Sequence, residues 1–294
     1  MSNGIWLPYR RVLEVTTVFG CSVDCYYCPQ DAFKANYRGK PRLSLEDFNA
    51  VLRNLPKDVI IEFAGFAEPF LNSDCTDMVE SAVSQGFNVQ LYTTLVGMRE
   101  EDVRRISKLD LDFFCFHMPD NKGNAKIPIT QEYKNVLALV LQNIRIDKVS
   151  VMNDNFVNLN NERAGLVRNA PKRNLKGPFN CGLLESPQFV MLPNCDVVLC
   201  CMDYGIKHVL GNILKQSYDD IVASPEYTRI RNNRYKMSGD IICRNCSVAT
   251  PIIEYNLWKL YDKFVKTAAK SPNSRIQSLQ RYQSGGPKSA NLPK

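Results

Sequence analysis

Cys21, Cys25 and Cys28 stand in one short stretch at a C-x3-C-x2-C spacing. Thiolates are soft metal ligands, and three on one loop can converge on one metal centre. Closed structural zinc wants four ligands, and so does an ordinary iron–sulfur cluster. A compact set of three with no local fourth points to a cluster with one iron left open, where chemistry can take place. The plainer alternative is a zinc knuckle or scattered core cysteines. A second set lies far along the chain: Cys181, Cys195, Cys200, Cys201, Cys243 and Cys246, ending in Cys243-Arg244-Asn245-Cys246. One C-x2-C with single cysteines upstream suits a metal site closed by distant segments, with four-cysteine zinc as the alternative to a second cluster. Either metal would staple a small region with little core of its own.

Positioning the first set requires rigid elements on both sides. Arg11–Val18 is β-branched and alternating, and reads as a strand that ends at the cysteine loop. Ser44-Leu45-Glu46-Asp47 opens a helix, with Ser44 as N-cap and Phe48, Val51, Leu52 and Leu55 at helical spacing. Strands are expected at 59–63, 87–93, 111–117 and 148–152. Helices are expected from 72–74 to Gly86, at 100–109, at 131–142 and, short, at 161–169. At least five strand–helix alternations imply a parallel sheet with right-handed crossovers, which by itself does not separate an open sheet from a barrel. A Pro/Gly-marked linker over 170–178 precedes a β-hairpin, 188–192 with 196–199, and a helix near 217–223. Residues 252–270 read as an amphipathic helix packed on the barrel.

Composition narrows the class. The 294 residues are 45% hydrophobic, enough for a sizeable core and room for two domains. Eleven cysteines, an odd number, with no secretory signal in view fit a reduced, cytoplasmic protein better than a disulfide framework. No apolar stretch is long enough to span a bilayer. The net charge of +7 is carried by seven Lys and Arg, with no acid, over 263–294. That tail reads as a solvated, disordered extension and gives no ground to infer nucleic acid or a membrane.

The first set resembles the signature of the radical S-adenosylmethionine (radical SAM) enzymes, C-x3-C-x-aromatic-C, with Tyr27 at the aromatic position. The resemblance implies a [4Fe–4S] cluster on Cys21, Cys25 and Cys28 whose open iron chelates SAM. One electron then cleaves SAM, and the 5′-deoxyadenosyl radical takes a hydrogen atom from the substrate; the electron comes from a donor such as flavodoxin or ferredoxin. It also implies a partial (β/α)6 barrel over 1–175, with its active site at the C-terminal ends of the strands. Ala64-Gly65-Phe66-Ala67-Glu68-Pro69 is similar to the family's Gly-Gly-Glu-Pro motif for the SAM amino group. Gly65 is displaced, and the glycine pair is replaced by Phe66-Ala67. Thr94 and Asn153 are the matching polar groups for SAM after the third and fifth strands. His117 and Asp120, after the fourth, are candidates for substrate or proton contact. Cys115, like the other unassigned cysteines Cys75, Cys195 and Cys201, is a candidate hydrogen-atom donor if it lies near substrate, although burial alone explains most free cysteines.

Residues 176–250 resemble the SPASM/twitch extension of these enzymes, including Leu210-Gly211-Asn212-Ile213 and the terminal C-x2-C. One auxiliary [4Fe–4S] cluster on Cys181, Cys200, Cys243 and Cys246 is implied, with Cys201 and Cys195 as competing assignments for Cys200. This layout looks like the aminocyclitol dehydrogenases. The expected substrate is a small sugar- or cyclitol-like molecule, oxidised or epimerised at carbon. A maturase acting on a ribosomal peptide is the alternative; only about twenty residues precede the cysteine loop, too few for a leader-binding domain. A non-enzymatic iron–sulfur or zinc scaffold is the third reading, and it predicts no SAM cleavage.

Overall fold

Alternate residues of the first strand, β1 (Arg11–Val15), belong to different environments, and this divides the molecule into layers. Leu13 and Val15 are fully buried, and so are Ile61 and Phe63 of β2 (Val59–Phe63). They pack with Phe48, Val51 and Leu52 of helix α2 (Leu45–Arg53) and with Met78 and Val79 of α3 (Cys75–Ser84). Glu14 and Glu62, directly opposite each other across the β1–β2 pair, lie on the other face of the same strands.

The computed structural model describes residues 11–152, 162–167 and 172–269. The chain divides into two units, Met1–Ala249 and Thr250–Lys294. In the first, strands β3 (Val89–Thr93), β4 (Phe113–Met118) and β5 (Lys148–Val151) extend the sheet in parallel, with α4 (Glu100–Ile106) and α5 (Gln131–Asn143) between them. The short α1 (Gln30–Asn36) follows the cysteine loop directly, and β6 (Phe179–Asn180) and α6 (Gly182–Glu185) lead out of the linker. The hairpin of β7 (Gln188–Met191) and β8 (Asp196–Val198) then forms as expected. Its first strand pairs in parallel with β1, placing Val190 opposite Glu14. With β9 (Val209–Asn212) the order is β5-β4-β3-β2-β1-β7-β8-β9. The sixth parallel strand thus comes from the cysteine-rich half of the chain. Phe189 and Met191 join the core with α2 and α3, whereas Val190 and Leu192 join a second cluster with Phe33, Phe66 and Tyr204. Burial on both faces explains why this run is apolar throughout.

The local signals act as the residues demand. The Ser44 hydroxyl accepts from the Asp47 N–H at 3.1 Å and starts α2, and Gly86 ends α3 with φ of 80°. Helices α7 (Tyr218–Val222) and α8 (Pro225–Asn233) set the Tyr218 and Tyr227 rings 5.7 and 5.1 Å from Phe189. The helix expected over 161–169 is, among the described residues, a single 3-10 turn at Arg163–Gly165. The second unit contains β10 (Thr250–Pro251) and α9 (Ile252–Ala269). No helix among the described residues is long and apolar enough to cross a membrane.

Candidate active site

Cys21, Cys25 and Cys28 lie on the loop beyond the C-terminal end of β1, all three partly accessible. The loop is tied across the barrel mouth: the Tyr26 N–H donates to the Asn124 carbonyl at 2.9 Å, and the Lys126 N–H donates to the Val23 carbonyl at 2.6 Å. Burial, then the neighbouring Cys28, pushes the Cys25 thiol up to about 12, so metal binding here displaces protons.

These cysteines share one cleft with Tyr27, Gly65, Glu68, Thr94 and His117, and with Gln30, Tyr92, Arg163 and Tyr204; its volume is about 630 Å³ including the open mouth. Gly65 has φ of 69°, and a Cβ there would meet Thr16 Oγ1 at 2.3 Å, so only glycine lets the β2 turn close on β1. Glu68 is 5% exposed and held rigidly. Its Oε2 accepts from the Thr94 N–H and hydroxyl, both at 2.7 Å, and its Oε1 from the Thr93 hydroxyl at 2.6 Å. Burial raises the Glu68 carboxyl, and these donors oppose the shift. Below, burial holds the Glu14 and Glu62 carboxyls above their ordinary range, partly relieved at Glu14 by the Arg163 guanidinium and worsened at Glu62 by Glu14. His117 is pushed down to about 4 by burial, with Lys148 and Arg163 adding to it, and is neutral near pH 7.

Two expected residues are placed elsewhere. Asp120 does not line the cleft. Its Oδ1 accepts from the Lys122 and Asn124 N–H groups and its Oδ2 from Asn124 Nδ2 at 2.6 Å, so it shapes the loop that anchors Tyr26. A carboxylate after a strand and before Gly-Asn is a turn former as readily as a catalyst. Cys115 is fully buried in β4, its sulfur 3.8 Å from Ser150 Oγ, and does not reach the cleft wall. Asn153 lies outside the described residues. Sequence reasoning missed Gln30, Arg163 and Tyr204; Gln30 follows Cys28 by two residues, whereas only proximity in the fold brings Arg163 and Tyr204 to the cysteines.

The second cysteine set also converges. Cys181, Cys200, Cys243 and Cys246 line one pocket with Leu184, Leu199 and Met202. Cys200 and Cys201, at the start of a turn closed by the Asp203 N–H donating to the Cys200 carbonyl, have different surroundings. Cys200, 7% exposed, is in this pocket, whereas Cys201 lies beside Glu14 and Arg163. Cys195 is fully buried at the hairpin turn with φ of 65°, away from both. The second histidine is structural: His208 Nδ1 meets Glu226 Oε1 at 2.7 Å, and Nε2 accepts from the Ile242 N–H at 3.1 Å, pinning the loop that carries Cys243.

Among the described residues no three of His, Cys, Asp or Glu are grouped to hold a single metal ion. The donor set, three cysteines in one site and four in the other, fits two iron–sulfur clusters.

Residues 181–247 match the SPASM family model, an iron–sulfur cluster-binding domain. The chain is similar in structure to BtrN in complex with AdoMet and 2-DOIA: TM-score 0.58, 18% identity, covering 77% of this chain and 87% of that one. It is also similar to Streptococcus suis SuiB bound to precursor peptide SuiA, with TM-score 0.52 and 14% identity over 82% of this chain and 70% of that one. Native anSMEcpe with bound AdoMet gives TM-score 0.50 at 12% identity, over 80% and 86%. At such identities these likenesses establish the fold. No curated protein sequence matches the chain.

Proposed function

We propose that this chain, a radical SAM protein with a SPASM domain, holds a [4Fe–4S] cluster on Cys21, Cys25 and Cys28 and an auxiliary one on Cys181, Cys200, Cys243 and Cys246, cleaves SAM reductively, and abstracts a hydrogen atom from a small sugar- or cyclitol-like substrate. The observation that carries this reading is the single cleft that joins the three cysteines to Gly65, Glu68, Thr94 and His117. When bound, the cluster and SAM supply one-electron cleavage and hydrogen-atom abstraction; the protein binds, orients and excludes water. Glu68, fixed by Thr93 and Thr94, presents its carboxylate to the SAM ammonium, while neutral His117 is available to accept a substrate proton. Oxidation or epimerisation of a polyol is favoured by the one four-cysteine auxiliary pocket, and the likeness to BtrN with 2-DOIA supports it. The likeness to SuiB with its precursor peptide favours a second reading, modification of a peptide.

Anaerobically reconstituted, reduced protein is expected to carry about eight irons, as two clusters require, and to release 5′-deoxyadenosine from SAM. Fully loaded protein that forms no deoxyadenosine with polyol, aminocyclitol or peptide candidates would sink the proposal. Glu68→Gln is expected to weaken SAM binding about 10- to 100-fold, the worth of one charge-assisted contact. Equilibrium dialysis measures this, and unchanged affinity would remove Glu68 from the SAM site.

A further inference from the structure

Cys28 has side-chain neighbours that connect it to the second cysteine region. Its sulfur accepts from Gln30 Nε2 at 3.3 Å and lies 3.4 Å from the Tyr204 hydroxyl. Gln30 is held in place, since the same Nε2 donates to the Phe66 carbonyl at 2.6 Å. Tyr204 belongs to the turn that follows Cys200, where the Asp203 N–H donates to the Cys200 carbonyl at 2.9 Å. The Tyr204 ring is buried, stacked on Phe66 with centroids 4.1 Å apart, and the Arg163 guanidinium lies 5.3 Å from its centre. Arg163 also donates to the Cys201 carbonyl at 2.9 Å, so the ring is gripped by the same turn that carries Cys200.

A thiol can donate to a phenol oxygen, but a metal-bound thiolate only accepts. Once Cys28 is a ligand, both Tyr204 Oη–H and Gln30 Nε2–H point at its sulfur. Hydrogen bonds to ligand sulfurs stabilise the more negative, reduced state of a cluster and raise its potential. We infer that Tyr204 is a positioning residue through which the Cys200–Tyr204 turn sets the reduction potential of the cluster proposed on Cys21, Cys25 and Cys28, by donating a hydrogen bond to the Cys28 sulfur. This rests on the proposed function, because it requires that cluster.

The test is an anaerobic redox titration of the reconstituted full chain, followed by electron paramagnetic resonance. The signal that changes when SAM is added reports the first cluster. Tyr204→Phe keeps the ring on Phe66 and removes one hydroxyl, so it is expected to load the same iron with a lower midpoint. At the wild-type midpoint its reduced-to-oxidised ratio should fall several-fold, up to about tenfold, or ~59 mV for one electron. Gln30→Leu should shift the midpoint the same way and the double variant further. Site-specific 3-fluorotyrosine at 204, a stronger donor of nearly the same shape, should raise it. An unchanged midpoint in both Tyr204→Phe and the fluorotyrosine protein, beside a wild type with a SAM-responsive cluster, overturns the inference and leaves the proposed function standing. A wild type that binds no cluster on the three cysteines overturns both.

Discussion

Cys28→Ala is expected to abolish 5′-deoxyadenosine formation while leaving about four irons on the protein. The first set has no spare ligand. Of the remaining cysteines, Cys75 and Cys115 are fully buried in the barrel, Cys195 lies at a hairpin turn, and Cys201, beside Glu14 and Arg163, does not line the cleft, so none stands at the vacated corner. The loss is chemical rather than structural. Cys28 is only partly buried, and deleting one sulfur there costs on the order of 1 kcal/mol, a small part of the stability of a domain. The variant should therefore unfold within a few degrees of wild type and keep the iron held by Cys181, Cys200, Cys243 and Cys246. Iron and sulfide content, deoxyadenosine formation and a thermal melt on the same preparation separate the outcomes. Wild-type turnover in the variant would end the assignment of Cys28 as a ligand. Complete loss of iron would mean that the two sites do not load independently.

The first site was legible in the sequence as far as its residues were consecutive. The C-x3-C-x2-C spacing and the strand before it are local, and so are Gly65 and Glu68 at the end of β2. Gln30, Arg163 and Tyr204 were not legible, because they reach Cys28 or the cleft from a short helix, a 3-10 turn and the turn after β8. Helix α1 has no side-chain cap and buries only Gln30 and Phe33, so it has almost no periodic signal. Helix α8 was missed although Ser224-Pro225 supplies an N-cap and a proline at its first position; the Ser224 hydroxyl accepts from the Tyr227 N–H at 3.3 Å. The pairing of β7 with β1 is a long-range event, yet its mark was present. Phe189-Val190-Met191-Leu192 is apolar at every position, which an exposed hairpin edge does not need and a strand buried on both faces does. The choice between Cys200 and Cys201 depended on a side-chain direction that spacing does not encode.

Arg244→Met is expected to be strongly destabilising although it leaves every cysteine in place. Arg244 sits between Cys243 and Cys246, is 2% exposed, and uses its guanidinium as a hub. Nε donates to Asn233 Oδ1 at 3.0 Å, Nη1 to the Leu175 and Gly177 carbonyls at 2.9 and 3.1 Å, and Nη2 to the Asn233 and Lys236 carbonyls at 2.8 and 2.7 Å. These acceptors come from the linker, the end of α8 and the segment after it, and the guanidinium also lies 5.2 Å from the centre of the Phe179 ring. Methionine fills the volume but leaves these buried acceptors without donors. Each orphaned acceptor costs about 1–3 kcal/mol, and with partial relaxation the sum is roughly 3–5 kcal/mol, a large share of a typical domain's 5–15. The damage falls on the segments that hold Cys243 and Cys246, so iron should fall from about eight toward four as the folded fraction declines. Arg244→Lys should recover little, because an ammonium cannot reproduce a fork that serves acceptors on three sides. Urea unfolding of wild type and both variants, with iron counted on each, is the measurement. A Lys variant equal to wild type would show that positive charge suffices, and an unchanged Met variant would show that the carbonyls find water instead.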